Sequence, residues 1–298
     1  MTGRRRLVRV PASSANLGPG YDVLAAALDI HLELEVTEGD AFEVEAGGEG
    51  LPTDRDNLCV RAFERLHSAD GLRFEVRSDI PVARGLGSSA AAIVAGLLAA
   101  DHLYELGLDP PDVYRHAVDV EGHPDNVAAA LFGGFAVCPP DPDADSPAAP
   151  VLPARLEPPE GVEGVLAIPS EEVSTEAARA ALPADVPMTD AVANVAAASH
   201  LVLGIERSDL TLISRGLADR LHQERRAEVY PRSIELLSLA DEVGAIGATV
   251  SGAGPSVLFW CFWQDTGKVV DALGQQAGDG VEIRRARFTP LGADVPEL

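Results

Sequence analysis

The glycine and serine loop at 84–89 runs directly into an unbroken apolar stretch, Ala90 to Ala100, that closes at Asp101 and His102. The stretch is rich in helix formers and predicts a helix to about Leu106. Gly85 and Gly87 permit positive φ and a close approach of the backbone to a ligand. Ser88 and Ser89 occupy the positions of an N-cap and a first turn. The N–H groups of that turn lack intrahelical partners, and with the helix dipole they attract an anion. The loop therefore reads as a phosphate cradle. An ordinary loop-to-helix junction carries the same Gly-x-Gly, so the rest of the chain has to decide between the two.

Charge narrows the ligand. The 298 residues carry 47 acidic and 23 basic side chains, a net charge of −24. Nucleic acid and anionic membrane surfaces repel such a chain, and neither is an expected partner. An anionic substrate must then be met by local positive groups. Lys268 is the single lysine among the 23 basic residues, so a Walker A loop, which ends in Gly-Lys, does not exist here. A nucleotide would have to be held by backbone amides, serines and a metal. Acidic excess with almost no lysine resembles proteins of salt-loving microbes, and a haloarchaeal source is expected.

Ala90 to Ala100 falls short of the roughly 18 apolar residues that a membrane span requires. Arg4 to Arg6 resemble the start of a signal peptide, yet residues 8–14 form no apolar segment behind them, so the cytoplasm is the expected compartment. Cys59, Cys138 and Cys261 are odd in number and far apart, which predicts reduced core residues.

Leu7 to Val10 predicts a strand, Val23 to Leu28 a short helix, and the alternation of Ile30, Leu32, Leu34 and Val36 a half-buried strand. Asp56-Asn57 caps a helix through about Ser68, and Leu72 to Val76 returns to strand. A helix restarts at Pro110, residues 121–126 interrupt it, Val127 to Phe132 is helical again, and a strand follows to Cys138. The proline- and aspartate-rich segment 139–161 predicts a surface connection or hairpin and a boundary between halves 1–150 and 151–298. Beyond it, Gly164 to Ile168 predicts a strand. Helices are expected over 174–181, 189–205, 209–221 and 231–243, paired strands over 247–250 and 257–261, then a helix over 266–275 and a strand over 281–288. The elements lack regular β–α alternation, so the expected class is α+β with antiparallel pairing.

Three loops of glycine, serine and alanine, at 11–20, 84–91 and 251–256, lie in different parts of this chain. Together they suggest backbone surfaces converging on a polyphosphate. Pro11-x-Ser-x-Ala-Asn-Leu-Gly-Pro-Gly-Tyr-Asp22, Pro81-x-x-x-Gly-Leu-Gly-Ser-Ser-Ala90 and Val250-Ser-Gly-Ala-Gly-Pro255 resemble the three ordered motifs of the GHMP small-molecule kinases. The first motif is similar to that of the branch whose acceptor is L-homoserine, as are Ser174-Thr175-x-x-Ala-Arg179 and Asp219-x-Leu-His222-Gln223-x-x-Arg226. The resemblance spans essentially the whole chain. It implies a domain of the ribosomal-protein-S5-domain-2-like type over 1–150, a ferredoxin-like domain over 151–298, and ATP in the groove between them. It implies ATP-dependent phosphorylation of a side-chain hydroxyl, serving threonine biosynthesis, and a homodimer is the expected assembly.

Residue by residue, the resemblance implies a nucleotide loop of Pro81, Val82, Ala83, Arg84, Gly85, Leu86, Gly87, Ser88, Ser89, Ala90 and Ala91. It implies Mg²⁺ on a loop serine, Ser89 ahead of Ser88, with Glu121 the candidate carboxylate. Phosphoryl transfer asks the protein to position groups in line and to neutralise charge. Magnesium accepts few protein oxygens beside waters and phosphates. For a zwitterionic acceptor, Arg179 and Arg226 can each fork onto a carboxylate. Asp22 is the partner for an ammonium, and Asn16, His123 and Asn126 face the ammonium and hydroxyl ends, with Thr175 beside them. Glu224-Arg225 departs from the usual pattern before Arg226 and leaves Arg225 as a possible substitute. Asp125 is either a helix cap or a base. The expected reaction needs no dedicated base: the γ-phosphate takes the proton while Asn16 and Asn126 orient the hydroxyl. Another GHMP kinase, acting on mevalonate or shikimate, and a non-catalytic sensor of ATP or amino acids are the competing readings.

Overall fold

The computed structural model describes residues 3–47, 51–139, 151–172 and 174–296. Two β-sheets contribute to one main core, and a second, smaller core around Val165, Phe259 and Leu273 belongs to the second sheet. The first is built on the long antiparallel pair β1 (Arg5–Ala15) and β2 (Leu24–Glu38). β3 (Glu43–Gly47), β4 (Leu72–Ser78), β5 (Phe135–Val137) and β6 (Ala154–Leu156) extend it in the order β3-β4-β2-β5-β6, and β3–β4 is its one parallel pair among the described residues. The second sheet is wholly antiparallel: β7 (Val162–Pro169), β8 (Gly247–Val250), β9 (Val257–Phe262) and β10 (Val281–Ala286), ordered β10-β7-β9-β8. The expected α+β class holds.

The short helix expected over 23–28 is strand instead. Ala25, Ala26 and Ala27 stand opposite Ser14, Ser13 and their neighbours in β1, and on the other side Leu24 to Ala26 pair with β5. These alanines are fully buried. Their high helix propensity is overridden by two flanking strands that need a thin partner, a tertiary effect no local pattern records.

One helix, α2 (Ser88–Tyr104), is buried continuously from Ala90 to Asp101. It packs against β1, β2, α1 (Leu58–Glu64), α3 (Pro110–Glu121) and α4 (Pro124–Phe132). Apolar on every face, it can exist only with protein all round it. Asn57 caps α1 by accepting from the Cys59 amide over 3.0 Å, as its side chain predicts.

The second half adds α5 (Thr175–Ala180), α6 (Met188–Arg207), α7 (Leu210–Gly216), α8 (Pro231–Ser238) and α9 (Thr266–Gln276). Two helices end early. The helix expected over 209–221 stops at Gly216, because the Asp219 carboxylate gathers the amides of Leu221, His222 and Gln223 into a turn of its own. The one expected over 231–243 stops at Ser238 and runs out in 3₁₀-type bonds before Gly244, whose φ is 78°. α6 has the length and the mean hydropathy, 1.3, of a membrane-crossing helix. Asn194 in its middle is nonetheless buried and bonded to the Pro19 carbonyl and the Arg220 amide, which seats the helix against the protein.

The first sheet reaches past residue 150, since β6 pairs with β5; the intervening residues 140–150 lie outside the described ones. The chain end also returns to this sheet, through bridges from Phe288 to Leu28 and from Asp294 to Arg9. Phe135, Trp260 and Phe288 join β5, β9 and that returning segment in a triangle of rings 4.8–5.8 Å apart, which fixes the sheets across the groove between them. The three cysteines are free and buried, as expected, and burial pushes each thiol up to about 12.

Candidate active site

The three small-residue loops meet. Ser13 N donates to the Leu86 carbonyl and Gly252 N to the Ala15 carbonyl, while Ser251 Oγ donates to the Gly85 carbonyl over 2.6 Å. Gly85 and Gly87 have φ of 73° and 67°. A Cβ on Gly85 would collide with the Ser251 carbonyl, and one on Gly87 with the Ser13 hydroxyl. Glycine at these two positions is therefore demanded twice, by backbone conformation and by the neighbouring loop. Gly87 forms the N-cap of α2 without any side-chain cap, which leaves the first-turn amides directed at the groove.

That groove is a cavity of about 460 Å³. Of the residues expected to bind ligand, Asn16, Asp22, Val82, Ala83, Gly85, Leu86, Gly87, Ser88, Ser89, Glu121, His123, Asn126, Thr175, Arg179 and Arg226 line it. Four do not. Pro81 and Arg84 face a separate cleft against β7 and β10, where Arg84 Nη2 donates to the Ser170 carbonyl over 2.6 Å. Ala90 and Ala91 have turned into the core with the helix. Arg225 also lies off the site and reaches Asp190 at 3.2 Å. Asp125 lines the cavity inside the first turn of α4; the N-cap is His123, so of the two roles left open for Asp125 the N-cap is not the one it plays.

At the α2 end of the cavity, Ser89 Oγ donates to Glu121 Oε2 over 2.6 Å. Glu121 is the last residue of α3, at the negative end of a helix dipole, where a carboxylate is disfavoured. Burial raises its pKa, and the serine hydroxyl offsets part of that rise. Hard oxygen donors, a serine hydroxyl beside one under-compensated carboxylate, suit a small divalent cation. Asn126 Oδ1 accepts from Ser13 Oγ over 2.8 Å, and Asn16 bridges two loops, donating to the Gly252 carbonyl and accepting from the Asp22 amide.

Further charged groups gather on the cavity wall. Arg179 forks onto Asp22 with two bonds of 2.8 Å and donates to Tyr21 Oη over 2.9 Å. Arg226 is 1% exposed, donates through Nε to the Ala178 carbonyl, and has no carboxylate within ion-pair distance among the described residues. A buried guanidinium without a carboxylate is costly unless a ligand supplies the anion. His222 holds it in place. Its Nε2 lies 2.7 Å from the Gly18 carbonyl, which can only accept, so Nε2 carries the proton and Nδ1 faces Arg226 Nη1 at 3.4 Å as an acceptor. Burial lowers the His222 pKa and keeps the ring neutral. Gln223 fastens the same segment to β8 by accepting from the Val250 amide.

Sequence reasoning placed Val82 at the cavity but missed the apolar wall that joins it, formed by Leu32, Leu51, Pro52, Leu58 and Val76. These positions come from β2, β4, α1 and the segment before it, and each reads singly as ordinary core. Tyr21, beside the arginines, was also passed over as a mere member of its motif.

The model of the GHMP kinases N terminal domain matches residues 57–134, and that of the GHMP kinases C terminal matches residues 201–279. The chain is 39% identical to a homoserine kinase of Moorella thermoacetica, covering 86% of this chain and 87% of that one. It is 42% identical to a homoserine kinase of Thermus thermophilus, with coverage of 90% and 91%. Among solved structures, homoserine kinase from Cytophaga hutchinsonii superposes with a TM-score of 0.85 at 28% identity, over 98% of each chain.

Proposed function

The chain belongs to the GHMP kinase family, and from that premise we propose that it is an ATP-dependent kinase that phosphorylates the side-chain hydroxyl of L-homoserine, giving O-phospho-L-homoserine. The observation that carries the reading is the pairing, in one cavity, of an uncapped helix N-terminus at Gly87–Ser89 with Arg226, a buried cation that lacks a carboxylate. The helix N-terminus suits a polyphosphate, and Arg226 suits a carboxylate.

The roles of individual residues follow from this placement. The amides at 85–89 cradle the phosphates, and the apolar walls from Leu32 to Val82 take the base. Ser89 and Glu121 would hold Mg²⁺, which supplies charge neutralisation on the transferring phosphoryl. Among the described residues no three His, Cys, Asp or Glu side chains converge, so the remaining ligands would be phosphate and water. Arg226 and Arg179 take the carboxylate of homoserine, Asp22 its ammonium, with His123 and Thr175 lining the same end. Asn16 and Asn126 orient the hydroxyl toward the γ-phosphate, which accepts its proton. We divide the chain into an N-terminal ATP-binding GHMP kinase domain, 1–150, and a C-terminal GHMP kinase domain, 151–298, with β6 completing the first sheet from beyond that line.

We place the protein in the cytoplasm, where ATP is supplied, as a step of threonine biosynthesis. A homodimer accords with Met188, Val192, Val195 and Leu203, which stand exposed along one face of α6 in a chain of net charge −24. The salt-loving, haloarchaeal origin rests on composition alone, and the relatives named above are bacterial. A coupled ADP assay across acceptors tests the function. Homoserine-dependent release is expected. Release with mevalonate or shikimate but not homoserine would assign another member's chemistry, and no release with any acceptor would favour a non-catalytic sensor.

A further inference from the structure

One phenol ring sits among three basic side chains. The guanidinium carbon of Arg226 lies 5.1 Å from the Tyr21 ring centroid and that of Arg179 lies 5.6 Å from it, while the His222 ring is 5.3 Å away. Tyr21 Oη also accepts from Arg179 over 2.9 Å. Two like charges brought to one small region repel each other, and a single carboxylate, Asp22, is bonded to only one of them. The negative face of an aromatic ring attracts both cations where an aliphatic side chain of equal size would not. Tyr21 lines the cavity, so the ring stands beside the place where the ligand carboxylate would enter.

The Asp22–Arg179 fork raises a further requirement. Under the homoserine reading, on which this inference rests, Asp22 turns to the ammonium of the substrate and Arg179 to its carboxylate. Each group therefore holds in the other a stand-in for the charge that the zwitterion brings. When the substrate arrives, Arg179 gives up Asp22 and must keep its place; the hydroxyl of Tyr21 is the partner that does not change. Asp22 itself has φ of 57°, a conformation unfavourable for a non-glycine residue, and its amide is fixed by Asn16 Oδ1. The carboxylate is thus delivered by the backbone, and the arginine by the ring next to it.

We propose that Tyr21 is the positioning residue of the acceptor site: its ring pairs Arg179 with Arg226 for one carboxylate, and its hydroxyl retains Arg179 while Asp22 changes partner. Two variants separate the parts. Tyr21→Phe keeps the ring and should raise KM for homoserine about fivefold. Tyr21→Leu loses ring and hydroxyl and should raise it about 50-fold. In both, KM for ATP should stay within twofold of the wild type, which a merely structural role would not achieve. Thermal midpoints are recorded for each protein, and Tyr21→Phe keeps the test valid if Tyr21→Leu does not fold. Unchanged KM for homoserine in Tyr21→Phe together with Tyr21→Leu, or equal rises in both KM values, would overturn the proposal. A wild type without homoserine-dependent ADP release would instead overturn the functional reading.

Discussion

Ser89 Oγ lies 2.6 Å from Glu121 Oε2, so the first turn of α2 and the last turn of α3 end on a shared hydrogen bond at the floor of the cavity. The two residues are 32 positions apart in sequence and arrive from helices that pack against each other. If the pair is the cation site, Ser89→Ala and Glu121→Gln should each lower kcat about 100-fold, in the range found for removing one electrostatic contact to a transition state. Each should also raise the Mg²⁺ concentration needed for half-maximal rate. The double variant should be little worse than the poorer single one, because both act through one ion. A magnesium titration of kcat for the four proteins decides this.

Arg226→Ala should raise KM for homoserine about 100-fold, since charge-assisted bonds to a buried carboxylate are worth on the order of 2–3 kcal/mol. KM for ATP should be unaffected. Arg226→Lys should not restore the wild-type value: a lysine cannot donate to the Ala178 carbonyl through Nε and fork onto a ligand at once. Steady-state kinetics with each substrate varied in turn provides the check.

Much of this was legible in the chain because it depends on spacing. Gly85 and Gly87 had to be glycine for local reasons, and both take positive φ. Asn57 capped its helix for equally local reasons. What stayed hidden depends on neighbours distant in sequence. Ala25 to Ala27 are helix formers held as strand by β1 and β5, and Arg84 sits in the phosphate loop yet turns to Ser170 of the second sheet. Leu32 and Val76 look like core until the fold leaves one side of them open to the cavity. The contribution of Tyr21 follows from two arginines 158 and 205 residues further along, given by 179 − 21 and 226 − 21.

Acidification should weaken the fold through His222. Its pKa is lowered first by burial and also by Arg226, while Asp219, Asp22 and the bond to the Gly18 carbonyl oppose that shift. The unfolded chain therefore takes up this proton first as pH falls below about 6.5, and stability drops from there down to the lowered folded value. One proton of difference corresponds to at most about 1.4 kcal/mol per pH unit. His222→Gln should flatten the fall between pH 6.5 and 5.5 relative to the wild type. Denaturant unfolding at a series of pH values measures it, and equal slopes in both proteins would contradict the assignment.

A chain of net charge −24 repels itself when unscreened, and the Debye length shrinks from about 8 Å at 0.15 M salt to about 3 Å at 1 M. The thermal midpoint should rise with KCl from 0.1 to 2 M, and activity should persist at the upper end. A midpoint that is flat or falling over this range would remove the argument for salt adaptation. Calorimetry in KCl, with sucrose as an uncharged control, separates screening from general exclusion.

The central claim is that one cavity brings the γ-phosphate of ATP to the hydroxyl of homoserine. Phosphorus NMR of the purified protein with ATP, Mg²⁺ and L-homoserine follows both products at once. A new phosphate monoester signal that grows one for one with ADP is expected, and its loss when homoserine is omitted. ADP formed with inorganic phosphate in place of the monoester, or no turnover under any Mg²⁺ concentration, would contradict it.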